Sequence, residues 1–220
     1  MPAILDWYKE EGMIFKGGSG SGINVSSIRS SYETLGKSAG TASGPLSFMR
    51  GADSSAGAIK SGGKTRRAAK MVVLNVDHPD VEEFIWCKAI EERKARVLQE
   101  ADFDMDLDGR DSFSVQYQNA NNSVRVTDEF MQAVENDDDW NLVGVTDKKV
   151  YKTLKARDVW RQILKVHGSV LIQVCSLIPL RTTGTRRQMQ VALMAQTLVL
   201  NICTSITRPV TSLQLTYSSS

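Results

Sequence analysis

GAIKSGGKTRRAAKMVVLNVDHPDVEEFI, residues Gly57–Ile85, runs from the end of a small-residue helix through a glycine- and cation-rich loop into a β-branched apolar run and a second helix. MVVLNVD (Met71–Asp77) has the composition of a buried strand. The DHPD that follows starts a helix: Pro79 suits the first turn, and Asp80 with Glu83 stands at capping-box spacing. His78 in that helix start is read as a turn or cap residue, because a lone imidazole has no partner for catalysis. The same stretch contains AIKSGGKT (Ala58–Thr65), which fits the loose phosphate-loop pattern. A working phosphate loop follows a strand and opens a helix, so that backbone N–H groups converge on the phosphates. Here a helix precedes and a strand follows, so the pattern stands in the wrong context.

Toward the N-terminus, AILDWYKEEGMIF (Ala3–Phe15) has helical spacing, and KGGSGSGIN (Lys16–Asn24) is read as a loop built for close backbone approach. GKSAGTASG (Gly36–Gly44) is a second glycine-rich loop. LSFMRGADSSAGAIK after Pro45 is a helix with small residues on one face, ending at Ser61–Arg67. Toward the C-terminus, Val81–Glu100 predicts an amphipathic helix, charged outside. Cys87 within it has no cationic surroundings to activate it and is read as structural. DMDLDG (Asp104–Gly109) copies the opening of a calcium-binding loop, but the required twelfth-position carboxylate falls on Val115, which leaves an acidic turn. A strand at Ser112–Gln118, a polar turn NANN, a helix at Thr127–Asn136, and a hairpin with a final helix start over residues 137–163 complete the reading. Mixed strands and helices favour α/β or α+β.

The last quarter breaks the pattern. Residues 1–163 carry 22 Lys and Arg against all 25 acids, whereas residues 164–220 carry five cations and no acid. Such a run arises by chance roughly once in ten thousand at ordinary composition. Its apolar runs, Ser169–Leu180 and Val191–Cys203, are too short to span a bilayer. The three cysteines, Cys87, Cys175 and Cys203, have no CxxC spacing, and no signal peptide is seen, which predicts a reducing, cytoplasmic setting. No cluster of metal ligands is apparent.

Three blocks, Ile14–Arg29, Gly57–Ile85 and Gln116–Glu135, together resemble the adenosylcobalamin-dependent, class II ribonucleotide reductases, and the similarity runs through residues 4–163 in the family's order. The resemblance implies an α/β fold, the early part of a ten-stranded α/β barrel. It implies radical reduction of ribonucleoside diphosphates or triphosphates, with adenosylcobalamin as radical source, deoxynucleoside triphosphates or ATP as effectors, and a thioredoxin-like reductant. Neither a nucleic acid nor a membrane is implied as partner. Gly17, Gly18, Gly20, Ser21 and Gly22 would lie against the substrate nucleotide. Arg29 and Lys37, in a first specificity loop over Arg29–Gly44, and Lys60, Ser61, Gly62, Gly63, Lys64, Thr65, Arg66 and Arg67, in and beside a second, would meet the effector. Asn119, Asn121, Asn122 and Arg125 match the family block without an assigned role.

Past Ile163 the chain departs from the family. Gly168–Leu180 admits codons that, regrouped with the last base of a His167 codon, spell WECADPGVQFDTT, which is family-like, and Thr183–Thr216 regroup in the same way. Residues 164–220 are therefore read as an out-of-frame tail, not expected to fold natively, beside a partial barrel domain over 1–163. The regrouped frame contains the family's Asn-Pro-Cys-Ser-Glu segment, source of its thiyl-radical cysteine and a glutamate base. Untranslated, it leaves the chain without a catalytic residue, and the redox cysteine is expected to lie upstream of Met1. Two alternatives stand beside this reading: a phosphate-loop nucleotide hydrolase, and a non-enzymatic nucleotide-binding module.

Overall fold

Helix α1 spans Pro2–Lys16, opened by a proline whose missing N–H matters least in a first turn. In the computed structural model, which describes residues 1–35, 40–59, 70–106 and 109–169, α1 ends at glycine. The N–H groups of Gly17 and Gly18 donate to the carbonyls of Met13 and Phe15 at 3.1 and 2.9 Å. Gly18 adopts φ +80°, a left-handed conformation that closes a helix without a Cβ penalty. The chain then enters strand β1 (Ser21–Asn24), helix α2 (Gly44–Ala58), strand β2 (Lys70–Asn75), helix α3 (Val81–Glu100) and strand β3 (Ala120–Arg125). Helix α4 (Asp128–Asn136), an antiparallel hairpin of β4 (Asp139–Val143) and β5 (Val150–Lys155), and helix α5 (Ala156–Ser169) follow. All described residues belong to one unit, Met1–Thr182.

The three strands pair in parallel in the order β1-β2-β3, with Ser21 opposite Lys70 and Lys70 opposite Ala120. Parallel neighbours joined through helices are the α/β arrangement. No closed barrel forms among the described residues. Val72, Leu74 and Val124 are fully buried and join Phe84 of α3 and Phe130 of α4 in one core. Burying each such phenylalanine contributes roughly 2–3 kcal/mol. In α3, Val81, Phe84, Ile85, Cys87 and Lys88 are buried and nothing beyond them is, so its second half projects as the charged surface helix the sequence predicts.

Local expectations fail where tertiary contacts compete. The glycine-rich Lys16–Asn24 is no loop throughout, because Ser21–Asn24 pairs with β2. The predicted strand at Ser112–Gln118 begins instead as a 3-10 turn over Ser112–Ser114, and Tyr117 takes φ +58°. The predicted NANN turn lies mostly in β3, where pairing to β2 overrides the turn preference of asparagine. Asp80 is the N-cap of α3 but makes no capping bond, since its carboxylate is engaged by Ser30 and Ser31. Thr127 does cap α4, accepting from Phe130 N–H at 3.2 Å. Of the predicted tail, residues 164–169 complete α5 with Val166 buried, and residues 170–220, with Cys175 and Cys203, lie outside the described residues.

Gly44, at the start of α2, sits at φ +70°, and a Cβ there would come within 2.9 Å of Ser31 Cβ and 3.2 Å of Asp80 Oδ2. Left-handed backbone and overlap act together, so Gly44→Ala is expected to lower stability by about 2 kcal/mol. Urea unfolding followed by circular dichroism checks this, and an unchanged midpoint would contradict it.

Candidate functional site

Strand alternation gives the sheet two unlike faces. In register, one carries Ser21, Ile23, Lys70, Val72, Leu74, Ala120, Asn122 and Val124, and the other Gly22, Asn24, Met71, Val73, Asn75, Asn121, Ser123 and Arg125. Helix α3 lies on the first: Asn122 Nδ2 donates to Cys87 Sγ at 3.2 Å. The second is largely polar, and Gly22, Asn24, Met71 and Asn121 are exposed on it. A Cβ at Gly22 would meet nothing within 4 Å. Parallel sheets are ordinarily covered on both faces. Here part of the second face is exposed although Val73 and Ser123 on it are buried; Asn24 is engaged by Asn75 and Ser26, and Arg125 has no ion pair among the described residues.

At the N-terminal edge of the sheet three segments converge. The glycine run enters β1 at Ser21, the chain following the second predicted loop enters β2 at Lys70, and Asn119 leads into β3. Lys70 Nζ is fully buried, 2.6 Å from Glu11 Oε2 and 4.8 Å from the centre of the Trp7 ring, while Ser21 Oγ donates to Glu11 Oε1 at 2.9 Å. Asp53 accepts the N–H groups of Gln118 and Asn119 at 3.1 and 3.0 Å, fixing the approach to β3. Burial raises the Asp53 carboxyl above its ordinary range, and the two amides only partly oppose it. Burial likewise depresses Lys88, which donates to the Ala120 carbonyl, and pushes the Cys87 thiol up to about 12, as befits the structural cysteine the sequence predicts.

At the opposite edge, a recess of about 140 Å³ is lined by residues including Ser26, Asn75, Asp77, His78 and Lys148. His78 is buried: Nδ1 accepts Asp80 N–H at 3.1 Å, which leaves Nε2 to donate to the Ile28 carbonyl at 3.0 Å. Both nitrogens are engaged, so it is a strut. Glu33 accepts the N–H groups of Ser30, Val145 and Thr146 at 3.1, 2.7 and 3.1 Å. Burial alone would raise its carboxyl, but these bonds outweigh burial and hold it below the usual carboxylate range. Its stabilisation is therefore present above the ordinary carboxylate pKa and lost as pH falls through the lowered one. Urea midpoints measured from pH 7 to 3 are expected to fall less steeply for Glu33→Gln than for the parent; parallel profiles would contradict this.

The structure separates the predicted nucleotide residues. Gly17, Gly18, Gly20, Ser21 and Gly22 lie before or within β1, but the N–H groups of Gly17 and Gly18 close α1, and Ser21 Oγ is tied to Glu11. Gly22 alone of the five faces the open sheet surface. Arg29 lies past the other end of β1, exposed and without an ion pair among the described residues. Lys37, Lys60, Ser61, Gly62, Gly63, Lys64, Thr65, Arg66 and Arg67 lie outside the described residues, as does Asp108 of the acidic turn. Among the described residues no three metal-binding side chains cluster, and no helix is long and apolar enough to cross a membrane. Asn24 and Asn75 belong to no motif in the sequence; their one signal is a polar residue ending each strand on the alternation that also carries Gly22.

Residues 1–170 match the family model for the ribonucleotide reductase barrel domain. The chain is 63% identical over 163 residues to the vitamin B12-dependent ribonucleotide reductase of Streptomyces avermitilis, covering 74% of this chain and 17% of that protein. It is 54% identical over 148 residues to the enzyme of the same name from Rhodopirellula baltica, covering 67% of this chain and 14% of that protein. Against the vitamin B12-dependent ribonucleoside-diphosphate reductase of Thermoplasma acidophilum it is 38% identical over 161 residues, covering 73% of this chain and 18% of that protein. The chain thus spans less than a fifth of the length of these curated relatives.

Proposed function

Because the chain belongs to the ribonucleotide reductase barrel-domain family, we propose that its described part is an early portion of the catalytic barrel of an adenosylcobalamin-dependent ribonucleotide reductase. The whole enzyme would reduce ribonucleoside diphosphates or triphosphates to deoxyribonucleotides, under deoxynucleoside triphosphate or ATP control and with a thioredoxin-like reductant. The carrying observation is the partly exposed polar face of a parallel sheet, with Gly22, Asn24, Met71 and Asn121 open, which a barrel would turn inward onto the nucleotide. Gly22 leaves room there for ribose, and Asn121 and Arg125 supply hydrogen-bond donors. The remaining glycines of Gly17–Gly22 set the path of the strand beneath the substrate. Arg29 and the two loops meet the effector polyphosphate.

Adenosylcobalamin would serve the whole enzyme as radical source. The recess of about 140 Å³ is far too small to hold a corrin. The phosphate-loop alternative lacks its strand-loop-helix order, since α2 precedes the motif and β2 follows it. An alignment covering 74% of this chain and a family match ending at residue 170 leave the remaining C-terminal residues without a counterpart in these relatives, as an out-of-frame continuation would.

The purified chain is expected to form no dCDP or dCTP with adenosylcobalamin and a dithiol reductant. The product of the full-length gene with its frame restored is expected to form it. Turnover by this chain, or DNA whose codons do not regroup, would overturn the proposal.

A further inference from the structure

Residues Ser30–Leu35, the first limb of the predicted effector loop that begins at Arg29, are held from two sides. Buried Asp80 accepts Ser30 Oγ, Ser31 Oγ and Ser31 N–H at 3.1, 2.6 and 3.0 Å. Glu33, 3% exposed, reaches the other way, to the N–H groups of Val145 and Thr146 in the turn between β4 and β5. Tyr32 lies against Tyr151 of β5 with ring centres 6.2 Å apart, and Tyr151 donates to Asp147 in that turn at 2.7 Å. The returning limb of the loop meets the same residue: Ala42 N–H donates to the Glu33 carbonyl at 2.9 Å, and Leu35 N–H donates to the Gly40 carbonyl at 2.9 Å.

We propose that Glu33 is a clasp that makes both limbs of this loop, Ser30–Leu35 and Gly40–Ala42, and the β4–β5 turn one cooperative unit. Ordering either part then orders the other. The physical basis is the all-or-none character of a buried carboxylate on three amides. Opening one contact leaves a charge short of partners and an amide without an acceptor, so the bonds break together. Coupling of this kind is reciprocal: a ligand that orders the loop protects the turn, and loosening the turn loosens the loop. The inference rests on the proposed function only for the identity of that ligand, the polyphosphate of a deoxynucleoside triphosphate.

Amide hydrogen exchange of the whole 220-residue chain, resolved by NMR, tests it. Glu33→Ala is expected to accelerate exchange at Ser30, Leu35, Ala42, Val145 and Thr146 by about tenfold or more, with Val72 and Leu74 unchanged. Glu33→Gln keeps one carbonyl oxygen and turns an NH2 toward Thr146, so it should give a smaller effect centred on Thr146. Tyr151→Phe leaves Glu33 in place and loosens only the turn, yet it should also speed exchange at Ala42. Acceleration confined to Val145 and Thr146, or spread equally to Val72 and Leu74, would overturn the clasp. Added dATP or dTTP should slow Val145 and Thr146 in the parent and not in Glu33→Ala. A parent unaffected by either nucleotide would count against the nucleotide reading, while the clasp is decided by the nucleotide-free measurements.

Discussion

Lys70→Met is expected to cost about 3–5 kcal/mol, the range for removing one partner of a buried ion pair. Lys70 has no exposed surface, and its ammonium rests between the Glu11 carboxylate at 2.6 Å and the face of Trp7. Methionine fills most of the same volume, so the loss is electrostatic: Glu11 stays buried with the Ser21 hydroxyl, 2.9 Å away, as its one remaining donor among the described residues. The double variant Glu11→Gln with Lys70→Met leaves no unpaired charge and keeps an acceptor for Ser21. It should recover more than half of the loss, because an intact buried pair gains little over a neutral replacement. Urea unfolding followed by tryptophan fluorescence separates the cases. A single variant as stable as the parent, or a double variant less stable than the single one, would refute the account. This pair also fixes where the second predicted loop enters the sheet beside the glycine run, so it belongs to the site's construction as well as its stability.

Phe130→Ala should cost a similar amount, about 3–5 kcal/mol, through lost burial and the cavity left behind. The ring is fully buried in the core and meets Trp140 edge to face, with centres 5.1 Å apart and planes at 78°. Trp140 is held in turn by its indole N–H on the Val76 carbonyl at 3.2 Å, so α4, the hairpin and the end of β2 meet at this point. Emission from Trp140 is expected to move to longer wavelength in the variant as water reaches the indole. Phe130→Leu, which keeps most of the volume, should cost about 1–2 kcal/mol. Equal stability of the alanine and leucine variants would show that the site collapses without a cavity and that the ring's volume is not what matters.

The segments that build the proposed nucleotide-facing surface are legible in the sequence as blocks, but not as a face. Gly22 stands out in the sequence because glycine permits close approach, and the structure leaves open space above it. Gly17 and Gly18 looked alike in sequence, yet they close a helix. Glu33 carried no signal, because its turn partners lie 112 and 113 residues away. Asp80 was expected to cap its own helix, and it binds Ser30 and Ser31 instead.

Periodicity, helix ends and the order of chemically distinct segments are local properties, and they are enough to set α1, α2, β2, α3, α4 and the hairpin. Strand pairing and the destinations of buried charges are not local. Asparagines in β3 extend because a neighbouring strand satisfies their backbone. A carboxylate chooses among amides that only folding brings within reach, and the free energy of leaving it unpaired is larger than any preference written into its neighbours along the chain.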